Sequence, residues 1–128
     1  MALKITLKPN ERIILGGAVV VNGKAKCELL IENNTTLLRE KDILCEEDAN
    51  SPCRRIYFTI QLMYIDKEKL AVHHQMYWRL VKELIEAVPS TIGLIDQINE
   101  HIVSSRYYQA LKLASKLIEY EQEVISSV

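Results

Sequence analysis

Arginines carry the sharpest chemical signal in this chain. Arg54 and Arg55 follow Ser51-Pro52 directly, and serine before a first-turn proline predicts the start of a helix. That end of a helix is positive and disfavours cations by about 0.3–1 kcal/mol. Two cations placed there invite an anion. It would be a ligand phosphate held by helix amides and guanidinium forks, or a carboxylate folding back from Glu46, Glu47 or Asp48. Arg39 is the second pointer. Strand alternation puts it on the face of Leu37, at the edge of a buried surface near Lys41 and a basic first strand. There it can meet the backbone or base edge of a single-stranded RNA. Its structural alternative is a salt bridge to Glu32, Glu40 or Asp42.

Other chemistries find less support. The chain has no G-x-S-x-G elbow, no H-E-x-x-H and no P-loop, and Gly16-Gly17 lacks the lysine that a phosphate loop requires. His73, His74 and His101 are the only histidines. Neighbours on a helix point about 100° apart, so His73 and His74 do not converge on one metal. Glu46-Glu47-Asp48 reads as a solvated loop more readily than as a cation site. Cys27, Cys45 and Cys53 are odd in number and lack C-x-x-C spacing, which argues against both a disulfide framework and a zinc knuckle. The expectation is a protein that is not an enzyme and needs no metal or cofactor.

The elements that position these residues change period along the chain. Leu3, Ile5 and Leu7 alternate with Lys4, Thr6 and Lys8, the pattern of a half-buried strand. Pro9-Asn10 predicts a turn, Arg12 to Leu15 a second strand, and Ala18 to Val21 a third. Asn22-Gly23 predicts a type I′ hairpin leading into a strand from Ala25 to Glu32, with Cys27, Leu29 and Ile31 on one face. A last short strand covers Thr35 to Leu38, completing an antiparallel meander. Beyond Ser51-Pro52, Ile56 to Ile65 is apolar almost all round, as a buried central helix would be. Leu70, His74, Tyr77, Val81, Leu84 and Val88 then form a seam suited to another helix, within the chain or in a partner. Pro89-Ser90 introduces a third helix carrying Ile92, Ile95, Ile98 and Ile102. A fourth begins near Ser104-Ser105, with Tyr108, Leu111, Ser115, Ile118 and Ile125 inward. Strands first and helices after define an α+β fold: a small β-meander over 1–45 and a bundle of about four helices over 46–128, packed as one unit.

Composition sets the bounds. The chain has 128 residues, 48% of them hydrophobic and 26% charged, and a net charge of −1, so it folds without a global field for nucleic acid. The charge is uneven. Residues 1–26 hold Lys4, Lys8, Arg12, Lys24 and Lys26 against Glu11 alone, while residues 46–128 hold nine basic against twelve acidic side chains. No apolar run approaches the ~20 residues of a membrane span. The opening residues lack signal-peptide character, so a cytoplasmic location is expected. All six tyrosines fall on expected helices and none on a strand, so RNA binding would rest on backbone and polar contacts rather than stacking.

Several separated motifs then resemble one family. Leu7 to Gly16 (LKPNERIILG), Leu30-Ile31-Glu32-Asn33, Leu38 to Leu44 (LREKDIL) and Ile60-Gln61-Leu62-Met63-Tyr64 are similar to the FlbT family of bacterial post-transcriptional regulators of flagellin synthesis. The resemblance implies action through the untranslated leader of flagellin mRNA, on its translation or stability, and a working relationship with the regulator FlaF. The sign of the effect differs between members. Thr6 to Ile14 is also similar to the opening of the CsrA family, small β-rich dimers that bind mRNA leaders. Leu38-Arg39-Glu40 is similar to the CsrA stretch whose arginine contacts RNA, which falls on Arg39. Leu7 departs from that pattern, standing where CsrA proteins carry a second basic contact.

Two roles follow as expectations. The first is a flagellin mRNA regulator whose RNA contact uses Lys4, Lys8, Arg12, Arg39 and Lys41, with Arg54 and Arg55 extending the patch. The second is a protein-binding flagellar assembly factor or flagellin-chaperone-like module with indirect effects on the mRNA. It would grip FlaF or flagellin, or a second copy of itself, through Leu70, His74, Tyr77, Val81 and Leu84.

Overall fold

The structure is a computed structural model that describes residues 2–126, with side chains described through residue 124. Five strands lead: β1 (Leu3–Leu7), β2 (Arg12–Leu15), β3 (Ala18–Val21), β4 (Cys27–Ile31) and β5 (Leu37–Arg39). Four helices follow: α1 (Pro52–Ile65), α2 (Leu70–Ala87), α3 (Ile92–Val103) and α4 (Tyr107–Ser126). The α+β class and the order of strands before helices are as expected. The chain divides into two compact units, Met1–Ile43 and Leu44–Val128.

In the first unit the strands do not pair in simple succession. β1 pairs antiparallel with β4, while a second sheet has the order β3-β2-β5. The expected Asn22-Gly23 hairpin does not form. The hairpin lies instead at Gly16-Gly17, where Leu15 faces Ala18 across a two-residue loop. Both glycines hold positive φ, 60° and 86°, which a type I′ turn demands and which costs glycine nothing. Asn22 has another task. Its side-chain amide donates to the carbonyls of Lys8 at 2.7 Å and Ala25 at 3.0 Å, while its Oδ1 accepts from Cys27 Sγ at 3.2 Å. It thereby ties the chain leaving β3 to the end of β1 and the start of β4.

Alternation along β1 and β4 buries one face. Ile5, Leu7 and Ile13 form a core with Cys27, Leu29, Ile31 and Leu37 packed against it. The turn after β1 is of type II: Glu11 N donates to Lys8 O at 3.1 Å, with Pro9 leading and Asn10 at φ 63°.

In the second unit α1 packs against both α2 and α4, and α3 against α4. The near-continuous apolar run of α1 makes it the centre, with Ile56, Ile60 and Met63 fully buried. Gln61 clamps the start of the unit: its Nε2 donates to Leu44 O at 2.9 Å and its Oε1 accepts from Leu44 N at 2.8 Å. The expected inward face of α3 is confirmed at Ile95, Ile98 and Ile102, although Ile92 is exposed. On α4 the inward stripe is Ala110, Leu111, Ala114 and Leu117. Of the expected set only Leu111 is buried; Tyr108 is exposed, Ser115 and Ile118 are half-buried, and Ile125 lies outside the described side chains. Small alanines let the helices approach closely, a signal that counting large apolar residues misses. Among the described residues no helix is long and apolar enough to cross a membrane.

Candidate functional site

Pairing of β2 with β5 sets Arg39 opposite Ile13, at the end of a strand and beside the turn that ends at Glu11. Arg39 Nη2 donates to Thr6 O at 2.8 Å and to Glu11 Oε2 at 3.1 Å. The carboxylate partner is thus Glu11, not Glu32, Glu40 or Asp42, because the type II turn and the β2–β5 register bring residues 28 apart in sequence together. Glu11 is itself fixed, since its Oε1 accepts from Lys8 N at 2.9 Å. That backbone hydrogen bond, and next the one from Arg39, hold the Glu11 carboxyl below the usual glutamate range. Glu40 Oε1 accepts from Arg12 N at 3.3 Å, joining the turn after β5 to β2.

These residues surround an open cavity of about 400 Å³ lined by Lys8, Glu11, Arg39, Glu40 and Lys41. Two of the lining charges are acids and three are bases. The Arg39 side chain stays 34% exposed, and its two hydrogen bonds both use Nη2, leaving other guanidinium donors for a ligand. Lys41 is exposed and has no carboxylate partner among the described residues. The cavity therefore offers a preset guanidinium and two carboxylate acceptors, flanked by ammonium groups.

The other expected contact residues are placed elsewhere. Lys4 lies on the outward face of β1 and pairs with Glu28 at 2.7 Å. Arg12 is exposed beside the cavity without lining it. Arg54 and Arg55 belong to the helical unit, where Arg54 Nη1 donates to Asn50 Oδ1 at 3.0 Å. The anion that this helix start calls for is Glu121, from α4. It accepts from Ser51 Oγ at 2.6 Å and from Cys53 N at 3.1 Å, while Ser51 Oγ accepts from Arg54 N at 3.2 Å as the N-cap. Glu46, Glu47 and Asp48 form a separate exposed 3-10 turn. A carboxylate 70 positions away leaves no local mark in the sequence.

The proposed partner seam is largely spent inside the helical unit. Tyr77, Val81 and Leu84 are buried, so they do not form an open face. Leu70 and His74 are half-buried. The buried histidine is His73, which meets Asp66 at 3.0 Å, whereas His74 meets the Tyr107 hydroxyl at 3.0 Å. The α2 residues that do face outward include Val72, Met76 and Trp78.

Fold and site together define a small α+β protein with a charged cavity on its strand unit. Its family is shown by comparison. A family model described as flagellar protein FlbT matches residues 3–125, and the chain belongs to the FlbT family. Similar curated proteins include a probable flagellum biosynthesis repressor protein FlbT 1 from Bradyrhizobium diazoefficiens, 45% identical over 97% of this chain and 85% of that protein. The probable flagellum biosynthesis repressor FlbT of Rhodopseudomonas palustris is 41% identical, covering 98% of this chain and 99% of its own length. The flagellum biosynthesis repressor FlbT of Caulobacter vibrioides is 38% identical over 100% and 92%. These names describe regulatory rather than enzymatic roles. No solved structure matches the chain.

Proposed function

We propose that this protein is a regulator of flagellum biosynthesis that acts on flagellin expression after transcription, at the 5′ untranslated leader of flagellin mRNA. Membership of a family whose curated members are named repressors supports the regulatory part. The observation that carries RNA contact is the cavity in which Arg39, oriented by Thr6 and Glu11, shares the wall with Lys8 and Lys41. Arginine donors suit the O6 and N7 acceptors of guanine, and a carboxylate beside them suits an amino donor. Lys8 and Lys41 are placed to take flanking phosphates. A cavity with acids in its wall favours an unpaired base over a plain phosphate run, which agrees with a chain of net charge −1.

The test is a titration of the full-length protein against its own flagellin leader and a shuffled control at two salt concentrations. Preference for the leader is expected, with a log–log salt slope near −0.7 per phosphate contact on a single strand. Lys41→Ala should weaken binding and make that slope shallower by about 0.7. Equal binding to both RNAs, or none tighter than about 10 µM, overturns the reading.

A second reading, an assembly factor that binds a protein such as FlaF or flagellin, or a second copy of this chain, draws on one observation. Largely apolar cavities open on the helical unit, one of them reaching the end of the seam at Leu84 and Val88.

A further inference from the structure

Two cavities on the helical unit meet along α2. One, of about 560 Å³, lies between α1 and α2 and includes Phe58, Met76 and Leu80 in its wall. The other, of about 420 Å³, is formed with α4 and includes Leu84, Val88 and Val124. Arg55, Leu80 and Glu83 line both, so the cavities are two ends of one groove. From Met76 to Ala87 the groove follows α2 for ~16 Å, about three helical turns at 1.5 Å per residue.

At the junction stand two charges of opposite sign. Arg55 and Glu83 line both cavities, yet neither side chain has an ion-pair partner among the described residues. Glu121 is already committed to the start of α1. An uncommitted guanidinium and carboxylate beside apolar walls leave a pair of charges for an occupant to match.

We infer that this groove receives an amphipathic helix of a partner protein. The occupant would set apolar anchors at i, i+4 and i+7 into the two cavities and carry an acidic residue to meet Arg55 and a basic one to meet Glu83. The groove length matches such a helix better than a compact small molecule. Its wall lacks the basic surplus of the Arg39 cavity, since Arg55 and Arg79 are balanced by Glu83 and Glu121, so it has no net charge to draw RNA phosphates. This inference is independent of the RNA reading, which rests on the other unit.

The experiment is a selection from a displayed library of 16-residue helical peptides on the full-length protein, with counter-selection on Leu80→Glu. Leu80 is half-buried, so circular dichroism first checks that this variant folds, and Met76→Glu, at an exposed position, serves as a second counter-selection target. Enriched peptides should repeat apolar residues at helical spacing with one acid and one base between them. They should bind the two variants at least tenfold more weakly. Arg55→Glu should lose binding and regain it when the acid of the peptide is exchanged for lysine. Peptides that lack the helical period, that bind the variants as well as the parent, or that ignore the charge exchange would overturn the inference. So would self-association of the protein through this face that excludes every peptide. Loss of RNA binding in the leader titration leaves these outcomes unaffected.

Discussion

At the scale of single residues, Glu11 decides the character of the charged cavity. Without it Arg39 would keep only its hydrogen bond to Thr6 O; with it the guanidinium is held from two sides and carries a counter-charge. Its folded pKa lies below the ordinary value because the Lys8 amide and the Arg39 guanidinium both favour the carboxylate. A lowered pKa contributes stability that is present above the unfolded value of about 4.3. That contribution is lost as pH falls through the lower, folded value. The melting-temperature gap between the parent and Glu11→Gln should therefore close as pH drops below about 4; a gap that widens there contradicts this assignment.

Cysteines give a second prediction at this scale. Burial, followed by the charge of Glu121 and its hydrogen bond, pushes the Cys53 thiol up to about 12. Cys45 is exposed. A thiol reagent at pH 8, followed by peptide mapping, should label Cys45 rapidly and Cys53 only as the helical unit opens. Fast labelling of Cys53 in the folded protein would show that the start of α1 is not closed as described.

At the scale of elements, the first unit depends on how its crossing strands are tied. Asn22 replaces a hairpin turn with side-chain hydrogen bonds to three residues, Lys8 at the end of β1 and Ala25 and Cys27 at the start of β4. Asn22→Ala removes that donor from carbonyls at both strand ends, in exposed hydrogen bonds, and should cost about 0.5–1.5 kcal/mol by chemical denaturation. A loss under about 0.5 kcal/mol would mean that water replaces Asn22 freely. The misread hairpin has a physical cause. Asn-Gly and Gly-Gly are both turn signals, and the local sequence does not say which one closes a two-residue loop. Selection came from pairing, since β2 can join β3 in the register of Leu15 with Ala18 only if the chain reverses at Gly16-Gly17. By contrast, the Pro9-Asn10 turn and the alternation of β1 are local, and both were legible.

At the scale of the whole molecule, charge asymmetry was legible and its use was not. The basic surplus of the first residues pointed to a charged surface, and a cavity with Lys8, Arg39 and Lys41 does form there. Yet Lys4 is paired across a strand edge, and Arg12 stands beside the cavity rather than in it. The acids Glu11 and Glu40 entered through turns and register that composition does not encode. Helices were easier to read than their faces. Periodicity located all four, but the small residues Ala110 and Ala114 carry the close packing of α4, and His73 is buried where His74 was expected. The seam of α2 was correctly apolar, but its buried residues serve the fold, while the groove beside it remains open.

The most direct test of RNA contact through the first unit is amide and methyl chemical-shift mapping of the full-length protein with its flagellin leader. Shifts should concentrate at Lys8, Glu11, Arg39 and Lys41 and saturate with the RNA, leaving Met76, Leu80 and Leu84 in place. Shifts confined to the helical unit, or none at saturating RNA, would contradict the proposed interface.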